Sequence, residues 1–186
     1  MSTTTTTTLL LSLLVLHYLS EIPTTKPNQT MSTTTTTLLL SLLVLHYLST
    51  TANGIGFNYG TLGNNLPPPL QVVNFLKTQT TVDRIKIFDA NPDILRAFAD
   101  SGIAVTVTVG NGEIVGLTDP KAARRWVSTN IKPFYPRTRI NYIAVGNEVI
   151  HWGDKVMVAN LVPAMKSLYH ALLLEGIRDI KVRTSI

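Results

Sequence analysis

From Ile55 onward, short apolar runs alternate with segments whose apolar residues recur every three or four positions. IGFN (55–58), VDRIKIF (82–88), IAVTVTV (103–109) and INYIAV (140–145) read as strands, and a fifth opens over Ile180–Ser185. The segments between them read as helices. Pro67–Pro69 opens the first, with Leu70, Val73 and Leu76 at helical spacing. Asn91-Pro92-Asp93 opens the second as an N-cap, a proline at the first helical position and an acid against the macrodipole. Its buried face is Ile94, Leu95 and Phe98, and Gly102 is the stop. Asp119-Pro120 repeats the device ahead of the stripe Ala123, Trp126, Val127, Asn130 and Ile131. A long helix over Lys155–Leu174 carries Val158, Leu161, Val162, Met165, Leu168, Tyr169 and Leu172 on one side and ends at Gly176.

Strands separated by crossover helices predict an α/β fold with a parallel sheet, and strands poor in charge predict that both sheet faces are covered. An open doubly wound sheet and a (β/α)8 barrel both satisfy this. No G-x-G-x-x-G follows the first strand, which weakens a dinucleotide site. The nearest candidate, GNGEIVG at 110–116, has the wrong spacing and follows the third strand.

Residues 1–52 follow another pattern. MSTTTTTTLLLSLLVLHYLS (1–20) returns as MSTTTTTLLLSLLVLHYLS (31–49), one threonine shorter, across the linker EIPTTKPNQT (21–30). Each copy has a polar start, about a dozen apolar residues and a small-residue exit, the layout of a secretory signal peptide without its basic start. Neither is long enough to span a bilayer. Thr50-Thr51-Ala52 offers a cleavage site before Asn53, and the N-x-T sequon at Asn28 would leave with the leader. The chain therefore divides into a duplicated leader, 1–52, and one domain, 53–186.

Composition narrows the function. A chain of 186 residues that is 45% hydrophobic can bury one sizeable core. Its net charge of +5 arises beyond residue 52, and apart from Arg124-Arg125 the basic residues are scattered, so no basic stripe interleaved with aromatics marks a nucleic-acid groove. The chain has no cysteine, so thiolate metal sites and disulfides are excluded. His17 and His46 belong to the leader copies, and His151 and His170 lack partner ligands at useful spacing, so no metal is expected.

Reactive groups of parallel βα folds collect at the carboxyl ends of strands. Tyr59, Asp89, Glu113 and Glu148 all fall there. A carboxylic acid in a concave, partly apolar mouth has its pKa raised by desolvation and can act as a general acid, as glycoside cleavage requires of one of its two carboxyl groups. Asp89 has a second reading, as a cap on the loop before Pro92. Trp152, after His151, could offer a flat face to a sugar ring or pack under its loop.

IGFNYGTLGNNLPPP (55–69), RIKIFDAN (84–91), VTVTVGNGEI (105–114) and YIAVGNEV (142–149) together resemble the plant β-1,3-glucanases of glycoside hydrolase family 17. The resemblance implies the amino-terminal part of a (β/α)8 barrel, about four βα units and a fifth strand, acting on β-1,3-glucan as a retaining endo-hydrolase with no cofactor. By motif, Glu148 matches the proton donor and Asn147 the neighbour that hydrogen-bonds the sugar 2-hydroxyl. Tyr59 would line the cleft, and Phe88 and Asp89 would lie at its rim.

The family's nucleophile is a second glutamate on a later strand and is expected to be absent from this chain. Glu113 occupies a loop position that the family does not use, and neither it nor Asp154 is expected to replace it. The chain alone is therefore expected to be inactive, and a non-catalytic glucan-binding relative is the alternative. The resemblance also implies secretion to the cell wall or apoplast, with a lipid anchor if a further carboxy-terminal signal exists.

Overall fold

The computed structural model describes Ser41 and residues 54–185; apart from Ser41, the duplicated leader and its cleavage site lie outside the described residues. Five strands, β1 (Ile55–Tyr59), β2 (Val82–Ile87), β3 (Ala104–Val109), β4 (Ile140–Asn147) and β5 (Lys181–Ser185), form one parallel sheet in the order β1-β2-β3-β4-β5. Every strand pairs with its sequence neighbour, so β1 and β5 are the sheet's two edges. Helices α1 (Pro69–Gln79), α2 (Pro92–Ala97), α3 (Pro120–Asn130), α4 (Val149–Trp152) and α5 (Lys155–Leu174) complete the βα alternation.

The chemistry expected of the helix starts is present. Asn91 Oδ1 accepts the N–H groups of Asp93 and Ile94 at the start of α2, and the Asp119 carboxylate accepts those of Lys121 and Ala122 at the start of α3. These side chains satisfy donors that have no partner inside the helix.

Alternation along the strands separates two faces. Ile85, Ile87, Val105, Val107, Val109, Ile143 and Val145 are all buried in the core. Leu95 and Phe98, Trp126 and Val127, and Leu161, Leu168 and Leu172 from the helical segments join them. The register Asn58–Lys86–Thr106–Tyr142 puts the polar alternates on the opposite face. There the Arg183 guanidinium lies over the Tyr142 ring, 3.3 Å from its centroid. The expectation that both faces would be covered holds on the helix side of β2, β3 and β4; on the opposite face Ala104, Thr108 and Ala144 are buried while Asn58 and Arg84 are exposed. The runs read as uniformly apolar because β3 uses Thr106 and Thr108 at alternate positions, and a buried Thr108 satisfies its hydroxyl on the Ile87 carbonyl.

Two expected apolar stripes are wider than the surfaces they bury. On α1, Val73 and Leu76 are buried while Leu70 is exposed. On α5, Leu161, Ala164, Leu168, Ala171 and Leu172 are buried, whereas Val158, Val162 and Tyr169 are exposed. Periodicity reports which residues could pack together, and the elements beside a helix decide which of them do. By length and composition α5 is also long and apolar enough to cross a membrane. Here it lays one side on the core and reaches α3 and the turn before it, where Ser167 donates to the Thr118 carbonyl.

Glu175, just past α5, fastens that helix to α3: Arg124 Nε lies 2.9 Å from one of its oxygens and Lys132 Nζ 2.5 Å from the other. Hydrogen bonds from Lys132 and then Arg124 lower its pKa from the usual 4.5 to about 2. Since the folded value lies below the unfolded one, this contribution to stability is complete above the unfolded value and is lost as pH falls through the folded one. The melting-temperature gap between the wild-type chain and Glu175→Gln should therefore shrink between about pH 4.5 and pH 2, as followed by circular dichroism.

Candidate active site

The site begins where β4 ends. Gly146 has φ +73°, and Glu148, a non-glycine residue, has φ +55° and ψ +28°. A left-handed conformation costs a non-glycine residue about 1–2 kcal/mol, so neighbouring contacts must hold it. Much of the grip comes from one side chain in the loop after β3. Asn111 Oδ1 accepts the Asn147 N–H at 2.7 Å, and Asn111 Nδ2 donates to the Asn147 carbonyl at 3.1 Å. A side-chain amide thus pairs with the backbone as a strand would. Beyond the reversal, the Glu148 carbonyl accepts the N–H groups of His151 and Trp152 and starts α4.

This backbone path leaves the Glu148 side chain exposed at the carboxyl end of the sheet. Among the described residues nothing forms an ion pair or hydrogen bond with its carboxylate. The concave, apolar shelter expected around it is not built from these residues.

Lys86, on the polar face of β2, joins the site. Its Nζ donates to Asn147 Oδ1 at 2.8 Å and lies 4.9 Å from the centroid of the Phe88 ring. Burial lowers the Lys86 pKa, and the nearby Glu148 charge raises it to a smaller extent. The ammonium is attracted to the face of the half-exposed Phe88 ring, which keeps it at the end of the sheet beside Asn147.

The structure therefore brings Asn147, Glu148 and Phe88 to one place and keeps two other expected residues apart from them. Tyr59 is in register with Ile87, belongs to the core and has its ring 6.4 Å from that of Phe98. Burial raises its pKa. Its position therefore departs from the expected cleft lining: strand alternation turns the ring toward the helices, away from the polar face. Asp89 is exposed, and its Oδ1 accepts the Asn91 N–H at 3.0 Å, which matches its reading as a loop cap.

The other carboxylates have local work. Glu113 accepts the Gly110 N–H and the Trp126 Nε1–H, closing the loop that carries Asn111. Glu113 is thus a staple of this loop. Asp154 accepts the Met157 N–H as the cap of α5. Trp152 is 75% exposed with His151 edge-on to it at 4.5 Å, so it does not pack under its loop. No group of histidines and carboxylates among the described residues could hold a metal ion.

Lys86 and Asn111 were missed from sequence. Lys86 did leave a signal, as the charge between Ile85 and Ile87 in VDRIKIF, on the parity opposite to theirs. Asn111 left none, because its role depends on the loop after β3 meeting the end of β4.

Comparison with known proteins places the chain in its family. The profile of the glycosyl hydrolases family 17 matches residues 55–186. The probable glucan endo-1,3-beta-glucosidase A6 of Arabidopsis thaliana is 42% identical over 136 residues, covering 73% of this chain and 28% of that protein. A glucan endo-1,3-beta-glucosidase of Triticum aestivum is 40% identical over 134 residues, covering 70% of this chain and 29% of the relative. Among solved structures, CJP38, a beta-1,3-glucanase and allergen of Cryptomeria japonica pollen, superposes with a TM-score of 0.67 at 45% identity, covering 71% of this chain and 42% of that one. One of two plant beta-glucan endohydrolases with distinct substrate specificities gives a TM-score of 0.66 at 38% identity. The chain belongs to glycosyl hydrolase family 17, and its α/β fold matches part of the plant glucanase barrel. It spans under a third of the length of these two curated relatives.

The reversal at Gly146 is a sharp point of failure. A Cβ there would collide with the side chain of Val149 and come within 2.9 Å of Ile114 Cδ1, at a φ that L residues avoid. Gly146→Ala should cost on the order of 3 kcal/mol in urea unfolding.

Proposed function

We propose that residues 53–186 form part of a (β/α)8 barrel that hydrolyses internal β-1,3-glucosidic bonds with retention of configuration, Glu148 serving as proton donor. The observation that carries this reading is that Glu148 is presented at the carboxyl end of β4 on a strained, clamped backbone with its carboxylate uncommitted, while Glu113 and Asp154 are engaged elsewhere. The names of the relatives support β-1,3-glucan as substrate.

In this reading the glucan lies across the end of the sheet. Glu148 protonates the departing glycosidic oxygen, and Asn147 hydrogen-bonds the 2-hydroxyl of the sugar being transferred. Phe88 presents an apolar rim. A second carboxylate, held about 5–5.5 Å from the first across the bond in retaining enzymes, attacks the anomeric carbon. No described carboxylate is placed for that task, so the nucleophile comes from a strand beyond these five. The uncommitted acid without a described partner also supports a second reading, in which residues 1–186 by themselves bind glucan without turnover.

Residues 1–52 act in this proposal as a duplicated secretory leader cleaved after Ala52, delivering the enzyme to the cell wall. The arrangement needs no cofactor and no nucleic-acid partner.

The test uses a protein of full family length carrying this domain. Glu148→Gln should lower kcat on laminarin by about 10²–10⁴, with a smaller loss on an aryl glucoside whose leaving group needs no proton. Equal turnover of laminarin by the variant and the parent would remove Glu148 from the proton-donor role. The chain of residues 1–186 alone should release no reducing sugar from laminarin.

A further inference from the structure

We propose that Lys86 is a positioning residue that fixes the side-chain amide of Asn147 so that it offers a hydrogen-bond donor, and no acceptor, to a sugar hydroxyl at the end of the sheet. The sugar half of this inference rests on the glucanase reading above; the positioning half does not.

The argument is one of donor and acceptor counting. A lysine ammonium has donors only, so the Asn147 atom 2.8 Å from Lys86 Nζ is the oxygen, Oδ1. The backbone of Asn147 cannot rotate to offer that oxygen elsewhere, because Asn111 holds both its N–H and its carbonyl. The two hydrogens on Asn147 Nδ2 then remain, and among the described residues no group accepts them. Asn147 itself is half-buried, and an amide donor in that setting favours an oxygen partner.

The hydroxyl it meets must act as acceptor and is free to donate its own proton onward. Glu148 is adjacent in sequence, and its charge is felt at Lys86. The ammonium is itself confined by the Phe88 ring 4.9 Å away, so its direction is set on two sides.

The test is made on the 186-residue chain with ¹⁵N-labelled asparagine, following the Asn147 side-chain NH₂ pair by NMR. That pair is identified by its disappearance in Asn147→Asp. In Lys86→Met the pair should move and average, because the oxygen has lost its donor; in Lys86→Arg, which still donates, it should stay near its wild-type position. Laminarihexaose should shift the pair in the wild type and in Lys86→Arg. Lys86→Met should bind it about tenfold more weakly, with the rest of the asparagine spectrum unchanged.

An Asn147 pair that is identical in Lys86→Met and wild type would overturn the positioning role. A pair that responds to Lys86→Met but in no variant to laminarihexaose would leave Lys86 as a positioning residue and overturn the sugar assignment. Thermal unfolding of each variant provides the second measurement: a Lys86→Met chain that melts like the wild type yet keeps the wild-type pair counts against the proposal, and Lys86→Arg supplies the rescue.

Discussion

The two hydrogen bonds between Asn111 and the backbone of Asn147 are the constraint on which the site depends. They connect the loop after β3 to the end of β4, where the ladder between those strands has run out. Together with the hydrogen bonds that the Glu148 carbonyl accepts from His151 and Trp152, they hold a glutamate at φ +55°. Glu113 belongs to the same construction from below, since it ties the Gly110 backbone to Trp126 on α3 and thereby seats Asn111. A helix, a loop and a strand end are thus fastened into one unit.

Much of the architecture was legible because its determinants are local. The caps Asn91 and Asp119, each followed by a proline, announced two helices, and the side chains do accept the expected backbone donors. Parallel pairing followed from the βα alternation. The limits lay in what depends on neighbours. Leu70, Val162 and Tyr169 have helical spacing but no surface to cover, and whether a stripe is buried is decided by the elements beside it.

The site was legible in the same uneven way. Asn147 and Glu148 came from a motif, and their position at a strand end is a consequence of fold class. Tyr59 sits at a strand end too, yet its parity with Ile87 sends the ring into the core beside Phe98. Strand parity was readable in principle, but it required knowing which residue ends the strand. Asp89 illustrates a second ambiguity: a short acid two residues before an asparagine can cap its own turn, and here it does. Lys86 was hidden by its surroundings, for it follows Asp83 and Arg84 in the same run and reads as one more edge charge until the sheet shows that it shares a face with Asn58 and Thr106.

The simple strand order has a bearing on how the chain is made. Among the five described strands each lies beside the one synthesised just before it, so no pairing between them waits for a distant segment. Pairing each strand with its predecessor keeps every closure to the length of one crossover, which costs less entropy than joining strands further apart along the chain. The growing polypeptide can therefore lay down this sheet stave by stave as it leaves the ribosome, with each new helix shielding the strand pair just completed.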